Sequence, residues 1–248
     1  MSPRVRLVLL CIAGLVLCIA LSHMIPAMPR FGEPVATRYA DAVNEIGPRS
    51  RHVSNEVSAV NFDFRGIDTL GEEYMLLGAV TGAVLLLRGS RGERSRDAPH
   101  PGRTTEPRSD AVVLLSRLLG PLILLFGFYV ALHATVTPGG GFQGGVIAAS
   151  GLLLVYVGDG YVTWRALVQS KVLDVLEGAG ALIFALAALV PMFLGEAALT
   201  NILPLGTLGT IDSGGLMLVE NVGVFLAVGS GFAQLFIEFL EETREVAS

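Results

Sequence analysis

The sequence predicts an all-α, polytopic integral membrane protein with about six transmembrane helices. Of its 248 residues, 52% are hydrophobic and only 16% are charged. The mean hydropathy is +0.63, and apolar runs recur at lengths near the roughly 20 residues that a spanning helix needs. A chain of this composition is not expected to fold alone in water. We therefore expect a multi-pass protein of the cell membrane that contacts lipid and does not bind nucleic acid.

The apolar segments predict where the chain crosses the membrane. They cover residues 5–25, 69–87, 111–134, 144–157, 172–194 and 216–239. The fourth segment is short, which fits a helix that begins inside the glycine-rich stretch before it. The first segment has a second interpretation as a signal peptide, because Arg4 and Arg6 precede its apolar core. Its length favours a retained helix.

Positive charge in the connecting segments predicts the orientation of the helices. Most Lys and Arg residues would share one side of the membrane if the N-terminus were cytoplasmic: Arg4, Arg6, the arginines within 88–108, Arg165, Lys171 and Arg244. The short loops 135–143 and 195–215 contain no Lys or Arg. The positive-inside rule then predicts an N-in, C-in topology. The arginines of the long loop 29–68 are an exception, and long loops obey the rule weakly.

Residues 89–110 predict a cytoplasmic linker between two membrane modules. This stretch is dense in Arg, Gly, Pro and Ser and has no apolar periodicity, which is typical of a solvated tether. It separates a two-helix module, residues 1–88, from a four-helix module, residues 111–248.

A glycine-rich element, PGGGFQGG at residues 138–145, lies between two apolar segments. A lipid-exposed helix would not tolerate this composition, so the element is expected to be packed against protein. It lacks the Lys-Ser/Thr pair of a phosphate-binding loop. Close helix approach is therefore the predicted role, also for the pairs Gly78/Gly82 and Gly229/Gly231. The residues of this structural turn are Pro138, Gly139, Gly140, Gly141, Phe142, Gly144 and Gly145.

A charged cluster precedes the second apolar segment and contains Asp63, Arg65, Asp68 and Glu72. Charges at the mouth of a spanning helix are costly unless they are paired or hydrated. Arg65 would neutralise Asp63 or Asp68 in a structural cluster, or the surplus carboxylates would attract and hand on Na⁺ or H⁺. Asp68 also fits a helix cap. Glu72 lies one turn further in and is the better candidate for conduction.

Two later helices also carry charged groups. Lys171 and Asp174 can pair near the membrane surface, and Glu177 lies about 9 Å deeper than Lys171 along the helix. Glu177 is either a proton relay or an interfacial charge. Glu220 stands within an apolar run, and an intramembrane carboxylate is by default a functional hypothesis.

His133 lies one turn before the glycine element and could titrate near neutrality. A hydrogen-bonded residue at a helix end is the more ordinary interpretation. The sequence contains no Ser/His/Asp set, Cys/His metal spacing or nucleotide fingerprint. We therefore expect no catalytic residue, no metal site and no cofactor in this chain.

Two motifs resemble parts of one family. PGGGFQGG, with the apolar segments around it, resembles the signature of the B subunit of multi-subunit Mrp-type cation/proton antiporters, whose modules recur in membrane-bound hydrogenases. The string NFDFRGIDTLGE at 61–72 resembles an element in the C-terminal extension of the A subunit. The chain looks like a fusion of these two neighbouring parts. The family usually has an aromatic-aspartate pair where this chain has Glu220 and Asn221.

The resemblance implies a subunit of an Na⁺/H⁺ antiporter whose partners, large antiporter-like membrane subunits, supply the main proton channels. It implies that Asp63, Asp68, Glu72, Glu177, Glu220 and His133 are candidates for the ion path. The alternative is a membrane-arm subunit of a related redox-driven pump, in which the redox cofactors belong to partners. A scaffold without its own ion path is the third alternative.

Overall fold

A computed structural model describes residues 3–24, 38–90 and 108–242. The described chain is helical, and its elements in order are α1 Pro3–Met24, α2 Arg38–Ser50, α3 Glu56–Ala59, a π-helical turn Val60–Phe64, α4 Gly66–Ser90, α5 Asp110–Leu132, α6 Gly141–Leu167, α7 Ser170–Phe193 and α8 Leu216–Glu242. The chain divides into two compact units, one ending at Ala42 and the other beginning at Val43. The predicted linker lies mostly outside the described residues.

Within the described residues, five helices are long and apolar enough to span a membrane, namely α4 to α8. The prediction of a multi-pass, all-α protein is therefore confirmed. The predicted count of about six spanning helices is not confirmed. Helix α1 has 22 residues but is not among the five. The N-in, C-in orientation and the division into modules stay predictions.

Helix α8 is the centre of the second unit, where it packs against α4, α5, α6 and α7. Small residues allow these close approaches. A β carbon placed on Gly144 would lie 2.6 Å from the carbonyl oxygen of Gly127 in α5, and one on Gly145 would lie 2.8 Å from the backbone nitrogen of Gly229 in α8. The predicted role of the glycine element in close helix packing thus agrees with the structure.

The pair Gly78 and Gly82 does not act in the same way. No described atom lies within 4 Å of a β carbon placed at either position. The expectation that this pair forms a contact surface is wrong for the described part of this chain. The small residues face outward from the bundle because α4 instead turns Val80 and Val84 inward.

Helix α6 is longer than the predicted segment 144–157, since it runs for 27 residues to Leu167. The sequence after residue 157 contains glycines and charges, which favoured an early end. The added residues contact the rest of the bundle: Asp159 pairs at the surface with the exposed Arg117 of α5, and Trp164 is fully buried. Gly160 adopts a non-helical φ of 82°, so the element consists of two helical segments joined at a kink.

Candidate functional site

The loop that precedes α6, residues 134–140, is called the glycine loop below. It is held by Asn55, which is buried. The side-chain amide of Asn55 donates to the carbonyl oxygens of Ala134, Thr137 and Gly139, at 2.7, 2.9 and 3.1 Å. The backbone nitrogen of Asn55 donates to Thr135. Carbonyls in an irregular segment at the membrane need partners, and Asn55 supplies several of them from a segment some 80 residues earlier in the chain.

Asn221 organises the other side of the loop and is fully buried in α8. Its Oδ1 atom accepts a 2.9 Å hydrogen bond from the backbone N–H of Gly141. Its Nδ2 atom donates to Ser58 Oγ at 3.1 Å and to Met217 O at 2.8 Å. One neutral side chain therefore caps the first turn of α6 and links α3, α6 and α8.

A cavity of about 240 Å³ lies beside Asn221, between the π-helical turn, α4, the glycine loop and α8. Much of its wall is polar, and the described polar side chains that line it are Ser58, Asn61, Thr69, Glu72, Glu73, Gln143 and Asn221. Backbone of Gly139, Gly140 and Gly141 completes one side, with Phe142 beside it. The glycine element therefore shapes a cavity wall as well as a helix contact.

Two adjacent glutamates on α4 have different surroundings. Glu72, which the sequence favoured for conduction, is exposed at the cavity. Glu73 is only 5% exposed, and its Oε1 atom has no hydrogen-bond partner among the described residues. It interacts electrostatically with Glu177 of α7. Adjacent helix residues point about 100° apart, so the inward carboxylate is one position later than expected.

Glu220 is the most deeply buried acid near this end of α8, with 1% of its surface exposed. Neither carboxylate oxygen has a hydrogen-bond partner within the described part of the chain. It interacts electrostatically with Asp63 of the π-helical turn. Burial of an unpaired carboxylate is costly unless it binds a proton or a cation.

Glu177 is also buried, with 6% of its surface exposed. Its Oε2 atom accepts a 2.8 Å hydrogen bond from Nε2 of Gln234 in α8. The glycine at position 231 makes room for it, since a β carbon there would lie 3.3 Å from the Oε1 atom of Glu177.

Buried polar residues continue along α8 toward its C-terminal end. Gln234 and Glu241 follow Glu220 at multiples of seven residues, which places them on one side of the helix. Glu241 accepts a 2.6 Å hydrogen bond from the hydroxyl of Tyr161 and lies 3.4 Å from Nε of Arg165. Glu238 is fully buried beside them.

The other predicted residues lie outside this interior set. Arg65 binds Asp68 at 2.7 Å, so it neutralises Asp68 and not Asp63. Asp63 pairs instead with Arg51 at 2.6 Å, a partner that the sequence did not indicate. The prediction that Asp68 caps this helix is wrong in position, because α4 begins at Gly66 and Asp68 is its third residue; its charge still lies near the positive end of the helix dipole.

His133 and the start of α7 complete the predicted set. His133 is half-buried at the end of α5, where its ring lies 4.1 Å from that of Tyr129 and its Nδ1 atom lies 3.0 Å from the carbonyl oxygen of Tyr129. Lys171 is exposed and Asp174 is half-buried. Their mutual pairing stays a prediction.

Sequence reasoning missed Glu73, Gln234, Glu238 and Glu241. A usable signal existed for two of them, because the seven-residue spacing from Glu220 to Gln234 and Glu241 marks one helix face. For Glu73, the positions seven and eleven residues later are Val80 and Val84, both buried. A count of apolar residues on that face would have favoured Glu73 over Glu72.

Apolar helices long enough to span a membrane, arranged around a buried, acid-bearing central helix, define a multi-pass membrane protein. A family model described as a domain related to the MnhB subunit of Na⁺/H⁺ antiporters matches residues 111–234. The chain belongs to this family. A candidate antiporter subunit, mnhB2, of Staphylococcus aureus is 33% identical over 122 residues, which are 46% of this chain and 83% of that protein.

An uncharacterized protein of Methanocaldococcus jannaschii is 29% identical over 171 residues, and the match spans 64% of each protein. Among solved structures, a chain of the membrane-bound sulfane sulfur reductase, an archaeal respiratory membrane complex, has a TM-score of 0.74 at 25% identity. That match covers 96% of this chain and 99% of the other. A chain of the Mrp complex from Dietzia has the same fold, with a TM-score of 0.74 at 24% identity, over 100% of this chain and 27% of its own.

Proposed function

We propose that this chain is a membrane subunit of an Mrp-type Na⁺/H⁺ antiporter and that its buried carboxylates form part of the cation or proton path. The observation that carries the proposal is Glu220. Its carboxylate is buried with both oxygens unpartnered among the described residues, inside a domain of an antiporter-subunit family. An acid in that position gains from binding a proton or a cation and can exchange one for the other.

The positions of further acids support a path through the second unit. Glu220 interacts electrostatically with Asp63 near the mouth of α4. Glu73 interacts in the same way with Glu177, which is hydrogen-bonded to Gln234. Carboxylates that are close enough to influence each other's charge can pass a proton or stabilise a cation in steps. This chain would act together with other membrane subunits, which supply the main channels.

The fusion of an A-subunit segment with a B-like module is part of the proposal. Contacts between the two parts support it: Asn55 holds the glycine loop, and α4 packs against α7 and α8. Parts that must pack together gain effective concentration when they are linked. In the Dietzia complex, a single longer chain has a fold match to the whole of this chain.

Antiport by the assembled complex tests the proposal. Everted vesicles that contain the complex should show Na⁺-dependent proton movement, measured with a pH-sensitive dye. Glu220→Gln should abolish that movement while the complex still assembles, and Glu220→Asp should retain part of it. Glu196→Gln, at an exposed loop position, is the matched control. Full antiport by Glu220→Gln would remove this residue from the path, and failed assembly would favour a scaffold.

The alternative, a subunit of a redox-driven pump, is consistent with the match to the sulfane sulfur reductase chain. That match does not favour it over the antiporter. Purification of the tagged chain in mild detergent, followed by mass spectrometry and iron analysis, separates the two. Stoichiometric iron–sulfur partners, with transport that requires electron flow, would replace the antiporter proposal.

A further inference from the structure

The cavity beside the glycine loop has the chemistry of a cation site. Its volume of about 240 Å³ compares with about 30 Å³ for one water in the liquid, so it can hold a small cation with some of its hydration waters. Its walls come from the π-helical turn, α4, the glycine loop and α8. Asn55 holds the glycine loop, and Asn221 ties the start of α6 to α8. The cavity is therefore built by the fold.

The carboxylate of Glu73 is the group that points to a ligand. It is buried and lines the cavity, yet its Oε1 atom has no hydrogen-bond partner among the described residues. A buried carboxylate oxygen without a partner is costly. A cation in the cavity would offset the charge of this buried carboxylate.

Neutral oxygens surround the same space. The hydroxyl of Thr69 gives its hydrogen to the carbonyl oxygen of Asn61 at 2.6 Å, so its remaining lone pairs can only accept a hydrogen or bind a cation. The side chains of Asn61 and Gln143, which each carry an amide oxygen, also line the cavity. Hard cations prefer such oxygen ligands.

The charge of the site selects among cations. Of the two described carboxylates that line the cavity, Glu73 is buried and Glu72 is exposed to solvent. One buried negative charge balances a monovalent ion. Dedicated Ca²⁺ sites combine several carboxylates, and of the described carboxylates in this wall only that of Glu73 is buried.

We propose that this cavity binds a partly dehydrated monovalent cation, Na⁺, with Glu73 as the charged ligand and Glu72 as an entry residue at the rim. The choice of Na⁺ rests on the proposed antiporter function, and the site itself rests on the cavity and on Glu73. The family resemblance pointed to Glu72. The structure gives the buried position to its neighbour.

Hydrogen–deuterium exchange on the purified, intact complex tests the site locally. Sodium chloride, compared with choline chloride at equal ionic strength, should slow amide exchange in peptides that cover residues 57–76 and 139–146. The half-saturating Na⁺ concentration should rise about tenfold or more in Glu73→Gln, a loss of about 1.4 kcal/mol. The half-saturating Na⁺ concentration of Glu73→Asp should lie between those of the unmodified protein and Glu73→Gln. That of Glu196→Gln should match the unmodified protein.

Each outcome bears on the site separately from the transport function. Equal Na⁺ protection in Glu73→Gln, or none in the unmodified complex, would overturn the site even if the vesicles show antiport. Protection by Ca²⁺ in preference to Na⁺ would overturn the monovalent assignment. Na⁺ protection that depends on Glu73, in a complex without antiport, would keep the site and overturn the proposed function. If Glu73→Gln fails to assemble, Glu73→Asp tests the site instead. A higher half-saturating Na⁺ concentration in Glu73→Asp would support the site, and an unchanged one would overturn it.

Discussion

The Oδ1 atom of Asn221 accepts a 2.9 Å hydrogen bond from the backbone N–H of Gly141, the first residue of α6. The amide of the same side chain donates to Ser58 and to Met217. A carboxylate could accept the first bond but could not donate the other two. The asparagine is thus suited to join three helices without a buried charge, while Glu220 carries the charge on a different side of α8.

Replacement of Asn221 is expected to weaken the fold in proportion to the hydrogen bonds lost. Asn221→Leu leaves the N–H of Gly141 buried and unsatisfied, and should lower stability by about 1–3 kcal/mol. Asn221→Asp keeps an acceptor for Gly141 but loses both donated bonds and buries a charge when ionised, so it should also lower stability. Thermal unfolding of the detergent-solubilised complex measures both. Equal stability of Asn221→Leu and the unmodified protein would contradict the role of this residue.

Glycines at the helix contacts should be far less tolerant than those on the outer face. Gly144→Ala puts a β carbon 2.6 Å from the carbonyl oxygen of Gly127, so α5 and α6 must separate, at a cost of about 1–3 kcal/mol. Gly78→Ala is the matched control, because no described atom lies within 4 Å of the new carbon. Yield and unfolding temperature compare the two. Equal damage by both would place a partner subunit against the outer face of α4.

Glu177 and Gln234 should behave as one functional unit. Gln234→Leu removes the 2.8 Å hydrogen bond to Glu177, and a bond to a charged group contributes about 1.5–3 kcal/mol. We expect reduced antiport in Gln234→Leu, abolished antiport in Glu177→Gln, and no further loss of assembly in the double variant. Vesicle antiport and complex yield, measured for both single variants and for the double variant, give a double-mutant cycle. Strictly additive losses would show that the pair is not coupled.

The two predicted modules should associate without a covalent link. If the chain is expressed as residues 1–90 and 108–248, the parts should co-purify, because α4 packs against α7 and α8. Asn55→Ala should weaken the association, since it removes the donor to three loop carbonyls. Pull-down through a tag on either part measures this. The exposed variant Glu45→Gln should leave co-purification unchanged, and independent purification of the parts would contradict the prediction.

The helices themselves could be predicted because apolar composition decides them. The predicted segment 216–239 differs from α8 by three residues at its C-terminal end, and the glycine element was correctly expected to pack against protein. Elements in the long loop were missed. Helices α2 and α3 and the π-helical turn lie where a polar loop was expected, because their helical form depends on contacts such as those of Asn55.

The site was harder to predict because it depends on helix rotation. Glu220 and Glu177 were chosen as isolated acids in apolar runs, and both are buried. Glu72 and Glu73 are adjacent in the sequence, and the rotation of α4 as it packs against α8 turns Glu73 inward. Likewise, the pairing of Asp63 with Arg51 brings together residues whose separation in the chain gives no helical spacing.

The close contacts of α8 with α6 and α7 limit how the proposed ion path beside α8 could open and close. A β carbon at Gly223 would lie 3.0 Å from the carbonyl oxygen of Gly180 in α7, and one at Gly145 of α6 would lie 2.8 Å from the nitrogen of Gly229. Backbones in such contact cannot slide past one another without a steric clash. Helix α8 should therefore stay fixed against α6 and α7, and any opening of the proposed path beside it would come from side-chain rotation and changes in hydration.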